Sequence, residues 1–132
     1  SGPTTAGALH VLPAPVRVYD SRTGTLPAVG SKTPLSPASP RVLDLKVNNS
    51  TVPAGATAAV VTVLLVNATA GSGNFTIWAN GLTKPAANTM VWGGNAARFS
   101  TQALTALNTQ AQVQVQPSLT TDLVLDVVGY YR

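Results

Sequence analysis

The run Leu123-Val124-Leu125-Asp126-Val127-Val128 constrains the fold more than any other stretch. It is apolar at both alternations, the pattern of a strand covered on both faces, yet it carries a carboxylate in its middle. An ionised carboxylate left alone in such a strand is strongly destabilising, so Asp126 calls for a guanidinium or several donors. The segment Val16-Arg17-Val18-Tyr19-Asp20-Ser21-Arg22 carries such groups near the start of the chain. The expectation is a buried tie between the first and last strands, made by ion pairs among Arg17, Asp20, Arg22 and Asp126.

Composition points the same way. There is no glutamate and little lysine, while Val, Thr, Gly, Pro, Asn and Ala dominate, so the residues that fill exposed helix faces are scarce. Only 9% of the 132 residues are charged, against about a quarter in an average soluble domain. The exposed surface must then be largely Thr, Ser, Asn, Gln and Ala, which costs little to desolvate and suits close packing against another protein. The net charge of +4 comes from eight cations scattered along the chain, with no basic run, so no nucleic-acid partner is expected. No apolar run approaches the roughly 20 residues of a membrane span, and the start lacks the basic-then-apolar pattern of a signal peptide. Ser1 suits a start trimmed of its Met, and equally a processed or engineered one. The chain has no cysteine and His10 is its sole histidine, so neither a disulfide framework nor a zinc site is expected, and no cofactor.

Taken in order, residues 1–12 read as a flexible arm and residues 13–132 as a single β domain. Pro13-Ala14-Pro15 stiffens the entry to a first strand over Val16 to Asp20. A long loop from Ser21 to Pro40 follows, of the kind that is functional or packs over an edge. Arg41 to Val47 alternates, and Ala58 to Val66 is apolar at every position but Thr62, a second central strand. Phe75 to Ala79 is expected to pair with it as a hairpin, closed by Asn80-Gly81. Asn88 to Trp92 and Arg98 to Leu107 are further strands, the latter with a helical turn as the alternative at its Ala-rich end. Ala111-Gln112-Val113-Gln114-Val115-Gln116 alternates strictly, and Asp122 to Tyr131 closes the chain. About eight strands at short spacing predict an all-β fold, an antiparallel β-sandwich or a jelly-roll-like barrel.

Pro15-Val16-Arg17-Val18-Tyr19-Asp20-Ser21-Arg22, Val52-Pro53-Ala54-Gly55, the segment from Gly73 to Trp78 and the closing Asp126-Val127-Val128-Gly129-Tyr130-Tyr131 together resemble a repeat domain common in actinobacteria. Its start reads P-x-R-hydrophobic-hydrophobic-D-[ST]-R and its end D-hydrophobic-x-G-Y-[FY]. The chain departs from it at Thr62-Val63-Leu64 and Ser100-Thr101-Gln102, where the family tends to place Asn. The resemblance implies a non-enzymatic module, either in a virion protein of a phage that infects these bacteria or in a secreted cell-surface protein. A start that looks trimmed of its Met, sparse charge and a flexible arm able to anchor the domain make the first expectation a head decoration or small tail or fibre protein that docks onto capsid or tail proteins and onto itself, as a homo-oligomer such as a trimer. The alternative is a secreted cell-wall or carbohydrate-binding module.

Candidate chemistry is sparse. Asp20 and Asp126 could form a glycosidase-type carboxyl pair, but a guanidinium partner in a strand interior accounts for both better. His10 lies in the arm and no Ser sits in a Gly-x-Ser-x-Gly turn, so no catalytic residue is assigned. Trp78, Trp92 and Tyr130 are the candidate platforms for a cell-surface glycan, with packing in the core or at an oligomer interface as the other reading. Alternation with Phe75 and Ile77 points Trp78 out of the core. Gln112, Gln114 and Gln116 form a row of amides that meets a neighbouring subunit or water.

Overall fold

The computed structural model describes residues 7–132. Eight strands follow one another: β1 (Leu9–Asp20), β2 (Arg41–Asp44), β3 (Ala58–Val66), β4 (Gly73–Ala79), β5 (Met90–Trp92), β6 (Phe99–Ala106), β7 (Gln112–Pro117) and β8 (Asp122–Tyr131). No helix occurs among the described residues. Two four-stranded antiparallel sheets, ordered β1-β8-β3-β6 and β2-β7-β4-β5, pack face to face as a sandwich. That order is the jelly-roll arrangement, in which most connections carry the chain from one sheet to the other.

The core lies between the sheets and follows from alternation. Ala59, Val61, Val63 and Leu65 of β3 and Leu123, Leu125 and Val127 of β8 point inward and are fully buried. Phe75 and Ile77 of β4 and Val113 and Val115 of β7 meet them from the other sheet. Each such Val, Leu, Ile or Phe side chain contributes about 1.5 to 3 kcal/mol by leaving water.

Three expectations change. β1 begins at Leu9, where Leu9, His10 and Val11 face Tyr131, Tyr130 and Gly129 of β8, and Gly7 donates to the Arg132 carbonyl at 2.8 Å. The end of the supposed arm is therefore strand, because β8 runs on past Val127 and its edge has to be paired. Pro13-Ala14-Pro15 does not start the strand; it falls in a register shift between Val11 and Val16, where no ladder donor is needed. Residues 1–6 of the arm lie outside the described residues. Finally, β3 and β4 do not form a hairpin. β3 pairs with β6 and β8 while β4 pairs with β5 and β7, and the turn between them crosses from one layer to the other so that both strands bury a face in the same core.

The Ser21–Pro40 loop packs along the flank of the sandwich. Leu35 bridges to Thr121 and is buried, and Lys32 Nζ donates to the carbonyls of Asp20 (2.6 Å) and Pro27 (2.7 Å). Arg41 holds the loop from the other side, donating to Thr33 O at 2.6 Å and to the Tyr19 hydroxyl at 2.9 Å. The glutamine row also fixes loops. Gln112 Oε1 accepts from Asn80 and Asn108, and Gln116 Nε2 donates to Pro37 O.

Candidate functional site

Antiparallel register brings the two terminal motifs together. Arg17 stands directly opposite Asp126, with Nε 2.9 Å from Oδ1 and Nη2 3.4 Å from Oδ2. Arg22 pairs instead with Asp20, two residues back, through Nε (3.0 Å), Nη2 (2.8 Å) and its own backbone NH (3.1 Å). The Arg17–Asp126 pair is not the buried tie expected of it. It lies on the outer face of the first sheet with the Arg17 side chain 44% and the Asp126 side chain 23% exposed. The run around Asp126 reads as apolar on both faces because Val124 and Val128 share that outer face, while only Leu123, Leu125 and Val127 enter the core.

A pair this open contributes about 1 kcal/mol or less. Asp126→Ala is accordingly expected to shift a urea melt only slightly, and a loss of 3 kcal/mol or more, the magnitude of about 3 to 5 expected for breaking a buried pair, would show that the pair is shielded from water after all.

Asp20 is the buried carboxylate of the four residues. Burial pushes its pKa up, but the hydrogen bonds and charge of Arg22 outweigh that and hold it below the ordinary carboxylate value. A lowered folded pKa means that the stabilisation is complete above the unfolded value of about 3.9 and drains away as pH falls through the folded value. Replacing Asp20 by Asn should therefore flatten the loss of stability on acidification below about pH 4. Parallel acid limbs for the two proteins, measured as urea midpoint against pH, would contradict this.

A second node was not legible in the sequence. Asp122, at the start of β8, is buried and accepts from Ser21 Oγ at 2.7 Å and from Asn67 Nδ2 at 2.9 Å. The Ser21 hydroxyl also accepts from the Leu123 NH at 2.9 Å, and Ser21 N donates to Leu123 O at 2.9 Å. Asn67 joins this node from the β3–β4 turn, with a φ of 55° that asparagine tolerates better than most residues. The serine of the D-[ST]-R motif was the available signal. Asn67 gave none, since its partner lies 55 residues away.

Of the aromatic candidates, both tryptophans are covered. Trp78 does leave the core face of β4, as alternation requires, but the Asn80-Gly81-Leu82 turn folds over it, Nε1 donates to Leu82 O at 3.0 Å, and only 6% of the residue is exposed. Trp92, 5% exposed, belongs to the core and donates to Thr69 O at 3.1 Å. Tyr130 is half-buried against the core and stacked on His10 at 5.0 Å between ring centroids. Among the described residues no group of three or more His, Asp or Glu side chains comes together.

The outer face of the first sheet is divided in two, with Asp20 and Val124 buried at one end and the other half open. Cross-strand register lays four rows over β1, β8, β3 and β6. Asp20-Val124-Leu64-Ser100 and Arg17-Asp126-Thr62-Gln102 form a polar, ion-paired half. Val11-Gly129-Val60-Leu104 and Leu9-Tyr131-Ala58-Ala106 form a half without a single charge. Val11 is 67%, Leu104 65% and Leu9 48% exposed. Gly129 keeps this half flat and tight, because a Cβ there would stand 2.9 Å from the His10 carbonyl oxygen. Exposed apolar residues gathered in adjoining rows mark an interaction surface, whereas single ones do not. No protein-family model matches the chain, and no curated protein matches it.

Proposed function

We propose that the chain is a non-enzymatic module that docks onto a larger protein assembly through the uncharged half of its open sheet face. The assembly is the virion of an actinobacteriophage, with the chain as a head decoration or a small tail or fibre protein, in keeping with the resemblance of its terminal motifs. The observation that carries the reading is the pair of uncharged rows spanning all four strands, with Leu9, Val11 and Leu104 standing out of them. The rest of the site supports structure over chemistry: Asp20 and Asp126 are each engaged by an arginine. The cell-surface glycan reading has less behind it, since Trp78 and Trp92 have no ring face open to a sugar.

The experiment is co-sedimentation of the purified protein with phage particles from which it has been deleted, beside isolated actinobacterial cell walls. Retention on particles is expected, and Val11→Glu, which places a carboxylate in the uncharged half, should weaken it at least about tenfold, or 1.4 kcal/mol. Equal retention of the variant, or retention on cell walls alone, would refute the docking reading.

A further inference from the structure

The two sheets have four edge strands, and three of them are blunted. β1 is interrupted by the Pro13-Ala14-Pro15 shift and a second shift between Arg17 and Tyr19, β2 has four residues, and β5 has three. These are the ordinary devices by which sheets avoid pairing with other chains. β6 has none of them. Its eight residues, Phe-Ser-Thr-Gln-Ala-Leu-Thr-Ala, contain no charge and no proline, and all eight pair with β3 without a register shift.

The direction of its free backbone groups follows from the neighbouring hydrogen bonds. Leu107 donates its NH to Thr57 O and Ala97 O accepts from Ala68, so on this strand the odd-numbered residues address β3. Ser100, Gln102, Leu104 and Ala106 therefore turn NH and C=O away from the sheet. Those groups have no backbone partner among the described residues, and the carbonyls of Gln102 and Ala106 receive only the hydroxyls of Thr101 and Thr105.

We propose that two copies of the chain pair through β6, antiparallel about a two-fold axis at Ala103, so that their first sheets join into one sheet of eight strands. A two-fold axis normal to the sheet keeps the outer faces of both copies on one side, which requires facing residues of equal parity. With Ala103 on the axis, Gln102 faces Leu104 of the second copy and Ser100 faces its Ala106. Every outward-turned residue of the strand is then satisfied, with about eight reciprocal hydrogen bonds. Centring on Gln102 leaves Ala106 without a partner strand. A second copy fits better than a charged partner because an uncharged strand meets its own image without repulsion. The assembly stops at two, since the opposite edge of each sheet is the interrupted β1. This goes beyond the docking reading and stands without it; a three-fold oligomer has no place for such a pairing.

Light scattering coupled to size exclusion should give twice the chain mass of 13.5 kDa. Gln102→Pro removes an outward NH and leaves the β3 ladder intact, so it should give a folded monomer. Ala103→Cys supplies the sole thiol of the chain and should form a disulfide-linked dimer under mild oxidation, because facing Cα atoms of a non-hydrogen-bonded pair stand about 4.5 Å apart, within disulfide reach. Gln102→Cys, displaced from the axis, should cross-link far more slowly. A wild-type monomer at NMR concentrations, a trimer, or equal cross-linking of the two cysteine variants would overturn the proposal, and the cross-linking comparison decides it even if Gln102→Pro fails to fold. A monomer that still docks on particles would sink the pairing alone, and a dimer that does not dock would sink the docking alone.

Discussion

Trp92→Ala is expected to lower the free energy of unfolding by about 3 to 5 kcal/mol, the range for deleting a large buried aromatic side chain. The ring is fixed on several sides. It lies over Gly73, its direct partner across β4 and β5, it stacks on Phe99 with centroids 6.0 Å apart, and its NH is bound to Thr69 O. The fit to Gly73 is close enough that a Cβ there would come within 2.2 Å of the indole. Gly73→Ala should thus damage the same contact from the other side, by about 1 to 3 kcal/mol for overpacking. The prediction separates two roles for this tryptophan. A ring presented to a sugar could be removed with little change in a urea melt, while a ring that closes the sandwich cannot. A loss below about 1 kcal/mol, far under the 3 to 5 expected, would return Trp92 to the list of binding residues.

Asp122→Ala should cost about 2 to 4 kcal/mol, because it withdraws the acceptor from the fully buried Ser21 hydroxyl and from Asn67 at once. Three segments meet at this carboxylate: the end of β1, the turn after β3 and the start of β8. The comparison with Asp126→Ala is the sharper measurement. Both residues lie on the outer face of β8, four positions apart, but one is buried with two donors while the other faces an exposed arginine. Urea melts in which the Asp126 variant lost more than the Asp122 variant would invert this assignment of the tie.

Strand identity was largely legible, since the chain writes two-residue alternation plainly in β7 and marks β3 and β8 as central strands by short, nearly continuous apolar runs bounded by turn residues. β1 was half-legible. Its proline-rich middle reads as an entry segment until the length of β8 shows that an edge needs covering. The pairing of β3 with β4 failed for a related reason: a short turn between two apolar strands serves a hairpin and a crossing between layers equally well, and only the strands on either side decide which. The arginines and aspartates of the termini were found by charge and spacing. Their depth was not, because burial of a carboxylate depends on which neighbours the register sets beside it.

By itself the sequence determined an all-β chain, because strand patterning, turn residues and the scarcity of the charged residues that fill helix faces are local properties, and the charges of Arg17 and Asp126 pointed to the pairing of its first and last strands. The tertiary structure alone decided which carboxylates are buried, that both tryptophans are covered, and that half of one face and one edge of the first sheet stay open. Those outcomes depend on which strands become neighbours and where the loops fall, and they join residues far apart in the chain through contacts that no local pattern encodes.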